Sequence, residues 1–292
     1  MTQPSPVCIG SDDPPVVPFA DLEIAVRRAL DEDVGAGDLT ADLIPTGKRG
    51  RARVITREAA VLCGQAWFER AFTLLDPCVE VCWAKRDGET IVADETVCEI
   101  AGPARALVTG ERTALNFLQT LSGTATVARR YADCLAGTAT RLLDTRKTIP
   151  GLRAAQKYAV RCGGGRNHRH GLYDAILIKE NHIEAAGSVP AAIRALRAVH
   201  GALPIESEVE SLAGLVEAVD AGADIVLLDN FTPEMMREAV RLAAGRVKLE
   251  ASGGFTFEDL RRVAETGVDY ISVGAITKHL RAVDFSMRFL RD

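Results

Sequence analysis

The sequence lacks the marks of an exported, membrane-spanning or nucleic-acid-binding protein. Its seven cysteines are an odd number without any CxxC pair, which argues against disulfide staples and favours reduced thiols. No window approaches the ~18 apolar residues that a membrane-spanning helix requires, and no basic region followed by an apolar stretch opens the chain. The 35 basic residues are outnumbered by 40 acidic ones, so the net charge of -5 gives no general attraction to nucleic acid or anionic membranes. These absences predict a cytoplasmic protein.

Aromatic residues are also few, at 5% of the chain, but the overall composition is that of a packed globular protein. Hydrophobic residues make up 47% and charged residues 26% of the 292 positions, which leaves little room for extended disorder. That length suits one large barrel or two ordinary domains. Cys78 and Cys82 share one face of an alternating segment, so we expect them in a strand core rather than around a metal ion.

The first part of the chain predicts a Pro-rich leader and a small α+β domain. Residues 1–18 hold five of the twelve prolines and are expected to be flexible. A helical pattern of apolar residues begins at Asp21, and alternating segments follow it without intervening helices. Those predicted strands are Ala52–Leu62, Val79–Trp83 and Thr90–Ile100. The predicted domain is an α+β sandwich over residues 19–120, with residues 282–292 available to pack back on it.

Two predicted helices, Ala104–Leu121 and Ala125–Leu135, lead into a region where short apolar strands alternate with helices. The predicted strands are Arg141–Arg146, Ala175–Glu180, Leu203–Glu208, Asp224–Asp229, Arg246–Ala251 and Tyr270–Gly274. Such alternation means parallel strands joined by right-handed crossovers. Because nearly every strand closes on a polar residue or a glycine, a ring that gathers the strand ends fits better than an open sheet. We therefore predict an incomplete TIM-like α/β barrel over residues 121–281.

The segment Thr145–His182 is unusually basic for an acidic protein. It holds eight cations and two acids, a net of +6, together with three of the five histidines. The cations are Arg146, Lys147, Arg153, Lys157, Arg161, Arg166, Arg169 and Lys179. An ordinary charge run of this kind is a solvated surface, but these cations begin and end on predicted buried strands and surround the glycines Gly163–Gly165. Arginine forks and lysine point charges that converge on a barrel mouth would form a pocket for a di- or trianion.

Two acidic residues end consecutive predicted strands at what would be the same rim. Glu208 and Asp229 offer carboxylate oxygens, which suit Mg²⁺, a hard cation that often completes its shell with substrate phosphates. The alternative is that both residues are counter-ions of nearby lysines and arginines. Glu206 and Glu210 share the parity of Glu208, so the assignment within that strand stays open.

Small residues follow the last two predicted strands, as in the phosphate cradles of many barrels. They are Ser252, Gly253, Gly254, Gly274 and Ala275. Glycines end many strands, so this pattern alone is weak. Neither a Walker loop nor a strand-linked GxGxxG is present, so the sequence does not favour a nucleoside triphosphate or a dinucleotide as the ligand. With the cations and the acid pair, the pattern indicates chemistry on a small polyanion that carries a terminal phosphate and a Mg²⁺-bound pyrophosphate.

Several long strings in this sequence are similar to those of the quinolinate phosphoribosyltransferase family. They are Asp144–Arg153, Lys157–Arg161, Gly163–Arg169, Leu177–His182 and Leu227–Asn230. The similarity extends from about Glu32, through Gly37–Thr40, to Gly274. The resemblance implies conversion of quinolinate and phosphoribosyl pyrophosphate to nicotinate mononucleotide, pyrophosphate and CO2 in de novo NAD synthesis. It also implies a small sandwich domain on an incomplete α/β barrel, in a homodimer.

Carried over position by position, the resemblance assigns three groups of residues. Those that would surround quinolinate and the sugar phosphates are Arg146, Lys147, His168, Arg169, Lys179 and, donated across the dimer interface, Arg112. Glu208 and Asp229 would meet the ribose hydroxyls and Mg²⁺, with Lys147 as the third catalytic group. The 5′-phosphate would lie against residues 252–254 and 274–275. Two departures from the family pattern are Gln156, where we expect an acid, and Ser207, at an expected apolar position.

Three other functions remain open from the sequence. The first is the molybdenum-associated paralogue of the same fold, although the intact Leu177–His182 string favours the quinolinate enzyme. The second is a Schiff-base aldolase that uses Lys147, Lys179 or Lys248 as a desolvated amine. The third is an RNA-binding protein that uses the basic segment, which the acidic overall charge and the scarcity of interleaved aromatics oppose.

Overall fold

The computed structural model describes residues 9–290, so residues 1–8 of the predicted leader lie outside the described residues. In chain order the elements are α1 (Phe19–Val34), β1 (Arg49–Thr56), β2 (Ala60–Val61), α2 (Gln65–Leu75), β3 (Glu80–Trp83), β4 (Thr90–Ile91), β5 (Thr96–Pro103), α3 (Ala104–Cys134), β6 (Arg141–Leu143), α4 (Arg153–Cys162), β7 (Ile176–Ile178), α5 (Glu180–Ala186), α6 (Val189–Val199), β8 (Ile205–Val209), α7 (Leu212–Asp220), β9 (Ile225–Asp229), α8 (Pro233–Ala243), β10 (Lys248–Ser252), α9 (Leu260–Ala264), β11 (Tyr270–Ser272), α10 (Ala275–Lys278) and β12 (Phe285–Phe289). Within this described part, no helix combines the length and the apolar character needed to cross a membrane.

The chain divides into two compact units, each built from separate stretches of sequence. The first, which we call the barrel unit, comprises residues 9–13, 130–147 and 165–275 of the described chain. The second, the sandwich unit, comprises residues 14–129, 148–164 and 276–290. The chain therefore leaves the barrel unit after Lys147, contributes α4 to the sandwich unit, and returns at Gly165.

The sandwich unit is built around an antiparallel sheet of order β12-β1-β5-β3. Ala52 of β1 lies opposite Ile100 of β5 on one side and opposite Phe289 of β12 on the other. Helices α1 and α2 cover a core to which each contributes one apolar face. The buried residues of these two faces are Leu22, Val26, Leu30, Trp67, Phe68, Ala71 and Phe72. Their spacing of three or four residues is what makes each segment an amphipathic helix.

The two helices predicted over residues 104–135 form one unbroken helix, α3, so that prediction is wrong. Gly123 lies where the prediction placed the break. A Cβ at this position would lie 2.3 Å from the carbonyl oxygen of Arg281, so the glycine permits a close approach of another backbone segment and does not end the helix. A glycine inside a helix costs only about 1 kcal/mol relative to alanine, and the burial of α3 offsets that cost.

The expectation that Cys78 and Cys82 lie in a strand core is also wrong, because both are exposed. Val79 is buried and Val81 is half-buried, so the odd-numbered residues face the core. Glu80 shares a face with the two cysteines, and this charged residue marks that face as the solvent side. The prediction that Cys78 and Cys82 share one face was correct, but that face is exposed to solvent and the opposite face is buried.

The barrel unit contains a six-stranded parallel sheet of order β6-β11-β10-β9-β8-β7. Helices α6, α7 and α8 connect consecutive strands, as the alternating pattern predicts. Leu143 of β6 also makes an isolated parallel bridge to Arg166. Six strands fall short of the eight of a complete barrel. The predicted fold class, an incomplete TIM-like α/β barrel with an N-terminal α+β sandwich domain, is confirmed.

The described end of the predicted leader contacts the barrel unit. The backbone N–H of Gly10 donates to the carbonyl of Asn167 at 3.1 Å. Asp12 forms an ion pair with Arg166, and Ile9 lies in a small apolar cluster of this unit. Residues 9–12 therefore lie against the segment that contains Arg166 and Asn167.

Candidate active site

The register of the parallel sheet places several predicted site residues on one face. Side chains that pair in register on parallel strands share a face, and successive residues alternate between faces. Asp229 pairs with Ser252, and Glu208 pairs with Leu227, two residues before Asp229. The three polar residues therefore share one face near the carboxyl ends of their strands. Lys179 joins them because its ammonium forms an ion pair with Glu208.

Two carboxylates and two lysines interact at this edge. Burial raises the pKa of Asp229 and the negative charge of Glu208 raises it further, while Lys179 and Lys147 lower it. The four side chains are therefore within electrostatic reach of one another. Carboxylate oxygens are the donors that a hard divalent cation prefers, and a cation between them would relieve their repulsion. Glu208 and Asp229 thus fit Mg²⁺.

Two guanidinium groups lie close together in the barrel unit. Arg169 is only 8% exposed, and its Nη1 donates to the carbonyl of Ala175 at 3.4 Å. Burial lowers the pKa of Arg169, and the positive charge of Arg146 lowers it further. The Nε of Arg146 is buried and has no hydrogen-bond partner among residues 9–290. A buried, unpaired donor beside a second guanidinium is suited to binding an anion.

The side chain of Lys147 crosses Gly274, one of the predicted phosphate-binding glycines. A Cβ on Gly274 would lie 2.7 Å from the Cδ of Lys147 and 3.3 Å from the Oγ1 of Thr145. The backbone N–H of Lys147 donates to that Oγ1 at 3.1 Å, which fixes the start of the lysine side chain. Gly253 has a φ of +147°, and nothing lies within 4 Å of a Cβ built on Gly254. Open backbone of this kind allows close approach of a phosphate.

A deeper polar layer lies on the same face of the sheet. Glu206 and Glu250 are fully buried, and His168 is 6% exposed. The Nε2 of His168 lies 2.9 Å from the Oε2 of Glu206 and 3.5 Å from the Oε2 of Glu250. Burial raises the pKa of both carboxyl groups to about 8, and the two are close enough to hydrogen-bond to each other. We conclude that this layer favours at least one protonated carboxyl group at neutral pH.

Sequence reasoning missed Glu250 and left Glu206 only as an alternative to Glu208. Glu206 is on β8 and Glu250 is on β10, with β9 between them. Contact across an intervening strand follows from the curvature of a barrel, in which alternate strands fill one layer. The sequence did contain one signal for this layer, because Glu250 is an acid between the apolar residues Leu249 and Ala251 of a buried strand.

Four of the predicted basic residues belong to the sandwich unit. Arg112 is exposed on α3, and its role across a dimer interface stays a prediction. Arg153, Lys157 and Arg161 lie on α4, and Lys157 is only 1% exposed. The basic segment is therefore divided between the two units, which its charge pattern did not indicate.

Gln156, the first departure from the family pattern, is fully buried and matches its surroundings in the sandwich unit. The backbone N–H of Ile149 donates to its Oε1 at 2.8 Å, and its Nε2 donates to the carbonyl of Thr277 at 2.9 Å. A carboxylate would lose that donor, so the amide fits this site. The second departure, Ser207, is buried with a hydroxyl that has no hydrogen-bond partner in the described chain, and nothing in the structure explains it.

Family models match almost the whole chain. The model described as the quinolinate phosphoribosyl transferase N-terminal domain matches residues 38–122. The model described as the C-terminal domain of the same family matches residues 124–288.

Curated relatives and solved structures agree with those models. A probable nicotinate-nucleotide pyrophosphorylase [carboxylating] of Bacillus subtilis is 44% identical over 257 residues, covering 88% of this chain and 89% of the relative. A protein of Mycobacterium leprae named nicotinate-nucleotide pyrophosphorylase [carboxylating] is 41% identical and covers 90% of this chain and 95% of the relative. The structure of the nicotinate-nucleotide pyrophosphorylase from Francisella tularensis is similar with a TM-score of 0.92 and 45% identity, covering 96% of this chain and 100% of that one.

Proposed function

The chain belongs to the quinolinate phosphoribosyltransferase family, and we propose that it carries out that family's reaction with the polar groups of its barrel unit. The reaction joins quinolinate to the ribose of phosphoribosyl pyrophosphate and releases pyrophosphate and CO2, which leaves nicotinate mononucleotide. The observation that carries the proposal is the pair Arg146 and Arg169, because one has a buried N–H without a partner among residues 9–290. Quinolinate is a planar diacid and supplies two carboxylates to such a pair.

In this proposal the two arginines mainly orient the pyridine ring. Each charge-assisted hydrogen bond contributes about 1.5–3 kcal/mol. These bonds already form with the bound substrate, so they raise the rate chiefly by holding the ring nitrogen towards the ribose carbon. Lys179, which pairs with Glu208, adds a further positive charge for the diacid.

The donor substrate would occupy the edge of the sheet beside Lys147. Its 5′-phosphate would meet residues 252–254, where the backbone of Gly254 is open, and residues 274–275 beside Lys147. Its ribose hydroxyls would meet Glu208 and Asp229. Those two carboxylates would also hold Mg²⁺, which supplies charge neutralisation for the pyrophosphate group when bound.

The chemistry that this arrangement supports proceeds in two stages. The bond between the ribose carbon and pyrophosphate breaks with its electron pair on the leaving oxygen, and the ammonium of Lys147 stabilises the charge that develops there. The pyridine nitrogen then bonds to the oxocarbenium-like carbon. In the second stage the bond to the 2-carboxylate breaks, its electron pair goes to the pyridinium ring, CO2 leaves, and a proton from solvent takes the vacated position.

We further propose a homodimer in which Arg112 completes the site of the other subunit. Its exposure on α3, in the sandwich unit, is consistent with that role. The test mixes two inactive variants, Arg112→Ala and Lys147→Ala, after dissociation and reassociation. Random reassociation gives half heterodimers, each with one intact site, so about a quarter of wild-type activity should return. No recovery from a mixture shown to contain heterodimers would contradict the shared site.

The proposed function is tested by incubating the protein with quinolinate, phosphoribosyl pyrophosphate and Mg²⁺ and measuring nicotinate mononucleotide and CO2. We expect both products in equal amounts. Arg146→Met should raise KM for quinolinate about tenfold or more while KM for the other substrate changes little. Arg241→Met, on an exposed arginine of α8, is the matched control and should leave both unchanged. A folded wild-type protein that forms no nicotinate mononucleotide would overturn the proposal.

A further inference from the structure

Ile9, near the described end of the leader, is buried in the barrel unit and is only 9% exposed. It belongs to a small apolar cluster whose other buried members are Leu143, Ala175 and Ile225. Ile225 is the first residue of β9 and pairs with Glu206, so both lie on the inward face of the sheet. Asp229, a residue of the candidate active site, is at the other end of β9. Ile9 therefore packs at the end of the barrel opposite to that site.

Gly10 lies in a position that favours glycine. Its φ is +75°, in the left-handed region, and a Cβ built on it would lie 2.6 Å from the Cε1 of Tyr270. Tyr270 is the first residue of β11 and pairs with Glu250, so its side chain is also on the inward face. The backbone N–H of Gly10 donates to the carbonyl of Asn167 at 3.1 Å. A side chain at Gly10 would push the leader away from Tyr270 and strain this hydrogen bond.

Asp12 supplies a third contact between the leader and the barrel unit. The Nε and the Nη2 of Arg166 both donate to its Oδ1, at 2.8 and 2.5 Å. Because the Asp12 side chain is 73% exposed, this ion pair contributes little free energy and mainly fixes the register of the leader. The next acid, Asp13, hydrogen-bonds to Ser11 within the leader. The contact therefore distinguishes between two neighbouring aspartates.

These contacts lie where the parallel sheet does not close. Its two edge strands are β6 and β7. Beyond β6 an isolated bridge adds Arg166 to the sheet, and the leader contacts both Arg166 and Asn167. Ala175, which belongs to the cluster around Ile9, directly precedes β7. Residues 9–12 therefore meet structure that lies beside each edge of the gap.

We propose that this end of the barrel is a binding site for an extended segment of the pattern Ile-Gly-x-Asp, and that the leader occupies it as a plug. The apolar cluster takes the isoleucine, the ring of Tyr270 disfavours a side chain at the glycine, and Arg166 takes the acid. The plug covers the gap between β6 and β7. It also keeps water from the inward face of the sheet, where Glu206 and Glu250 are fully buried. This role does not depend on which substrate binds at the other end of the barrel.

Hydrogen exchange of the full-length protein, read by mass spectrometry, tests whether the leader occupies this site in solution. We expect the amides of residues 9–12 to exchange at least about tenfold more slowly than in a synthetic peptide of the same sequence. Gly10→Val should remove that protection and speed exchange in the segment around Arg166. Gly47→Val is the matched control, because Gly47 has a φ of +84° but nothing lies within 4 Å of its Cβ position. Unprotected leader amides in the wild type, or full protection in Gly10→Val, would overturn the inference.

Thermal unfolding tests the apolar contact separately. Ile9→Ser removes the apolar side chain from the cluster, whereas Val16→Ser makes a similar change at a leader residue that is 78% exposed. We expect Ile9→Ser to lower Tm by about 3 °C or more and Val16→Ser to change it by less than about 1 °C. Equal effects of the two substitutions would show that the leader does not plug the barrel.

Discussion

The substitution Gly274→Ala adds a single methyl group, which should lower the catalytic rate by displacing the side chain of Lys147. The added Cβ would lie 2.7 Å from the Cδ of Lys147, where carbon atoms in contact are about 3.5–4.0 Å apart. Gly274 does not have a positive φ, so alanine brings no backbone strain. The lysine side chain must therefore move by about 1 Å, and its ammonium moves with it.

The expected magnitude follows from the two consequences of that movement. A displacement of about 1 Å in a positioned group can lower a rate by about a hundredfold, so we expect kcat/KM to fall between roughly tenfold and a hundredfold. Lys147 is exposed and lies outside the core, so the free energy of unfolding should change by less than about 1 kcal/mol. Gly214→Ala on α7 is the matched control, because its Cβ would meet nothing closer than 3.4 Å.

The assay is steady-state formation of nicotinate mononucleotide by four proteins: wild type, Gly274→Ala, Lys147→Met and the double variant. If the methyl group acts only by moving Lys147, it has nothing left to displace once that side chain is replaced, and the double variant should match Lys147→Met. The reasoning is refuted if Gly274→Ala keeps wild-type kcat/KM, or if its effect is as large in the Lys147→Met background.

Three further predictions concern buried groups. Gly123→Ala should destabilise the protein by about 3 kcal/mol or more in urea unfolding, because its Cβ would lie 2.3 Å from the carbonyl oxygen of Arg281. Helix propensity alone predicts a gain in stability, and a measured gain would contradict this prediction. Gln156→Glu should cost about 1–3 kcal/mol near pH 7 by removing the donor to Thr277, and unchanged stability would refute it. Burial raises the pKa of the Asp174 carboxyl group, but hydrogen bonds lower it by more, to about 2. The charged form of Asp174 therefore stabilises the folded protein above about pH 4, and this stabilisation is lost as the pH falls towards 2. Denaturant unfolding across that range should show Asp174→Asn and wild type converging, and a constant difference would refute the assignment.

The strand–helix rhythm after residue 138 was sufficient to predict the parallel sheet, because that pattern has few physical solutions. Lys179, Glu208 and Asp229 could also be placed near one edge, since each lies within one residue of the end of a parallel strand. Local pattern carries this information directly. It needs no knowledge of which distant residues come into contact.

The features of the fold and the site that the sequence did not predict depend on contacts between residues far apart in the chain. The continuity of α3 at Gly123 is understood only once the backbone of Arg281 is seen beside it. The contact of Glu206 with Glu250 depends on sheet curvature, which no single strand reveals. The division of the basic segment reflects α4 joining a different unit, and the charge pattern is the same on both sides of that division.

The pairing of β1 with β12 has a consequence for synthesis on the ribosome. Strand β12, the last strand of the described chain, pairs with β1, the first. Every element of the barrel unit from β6 to β11 therefore leaves the ribosome before β12 can pair with β1. Until then one edge of β1 has unsatisfied backbone groups and can pair with another chain. Shortening the protein before Phe285 would therefore damage its N-terminal half and should promote aggregation of nascent chains.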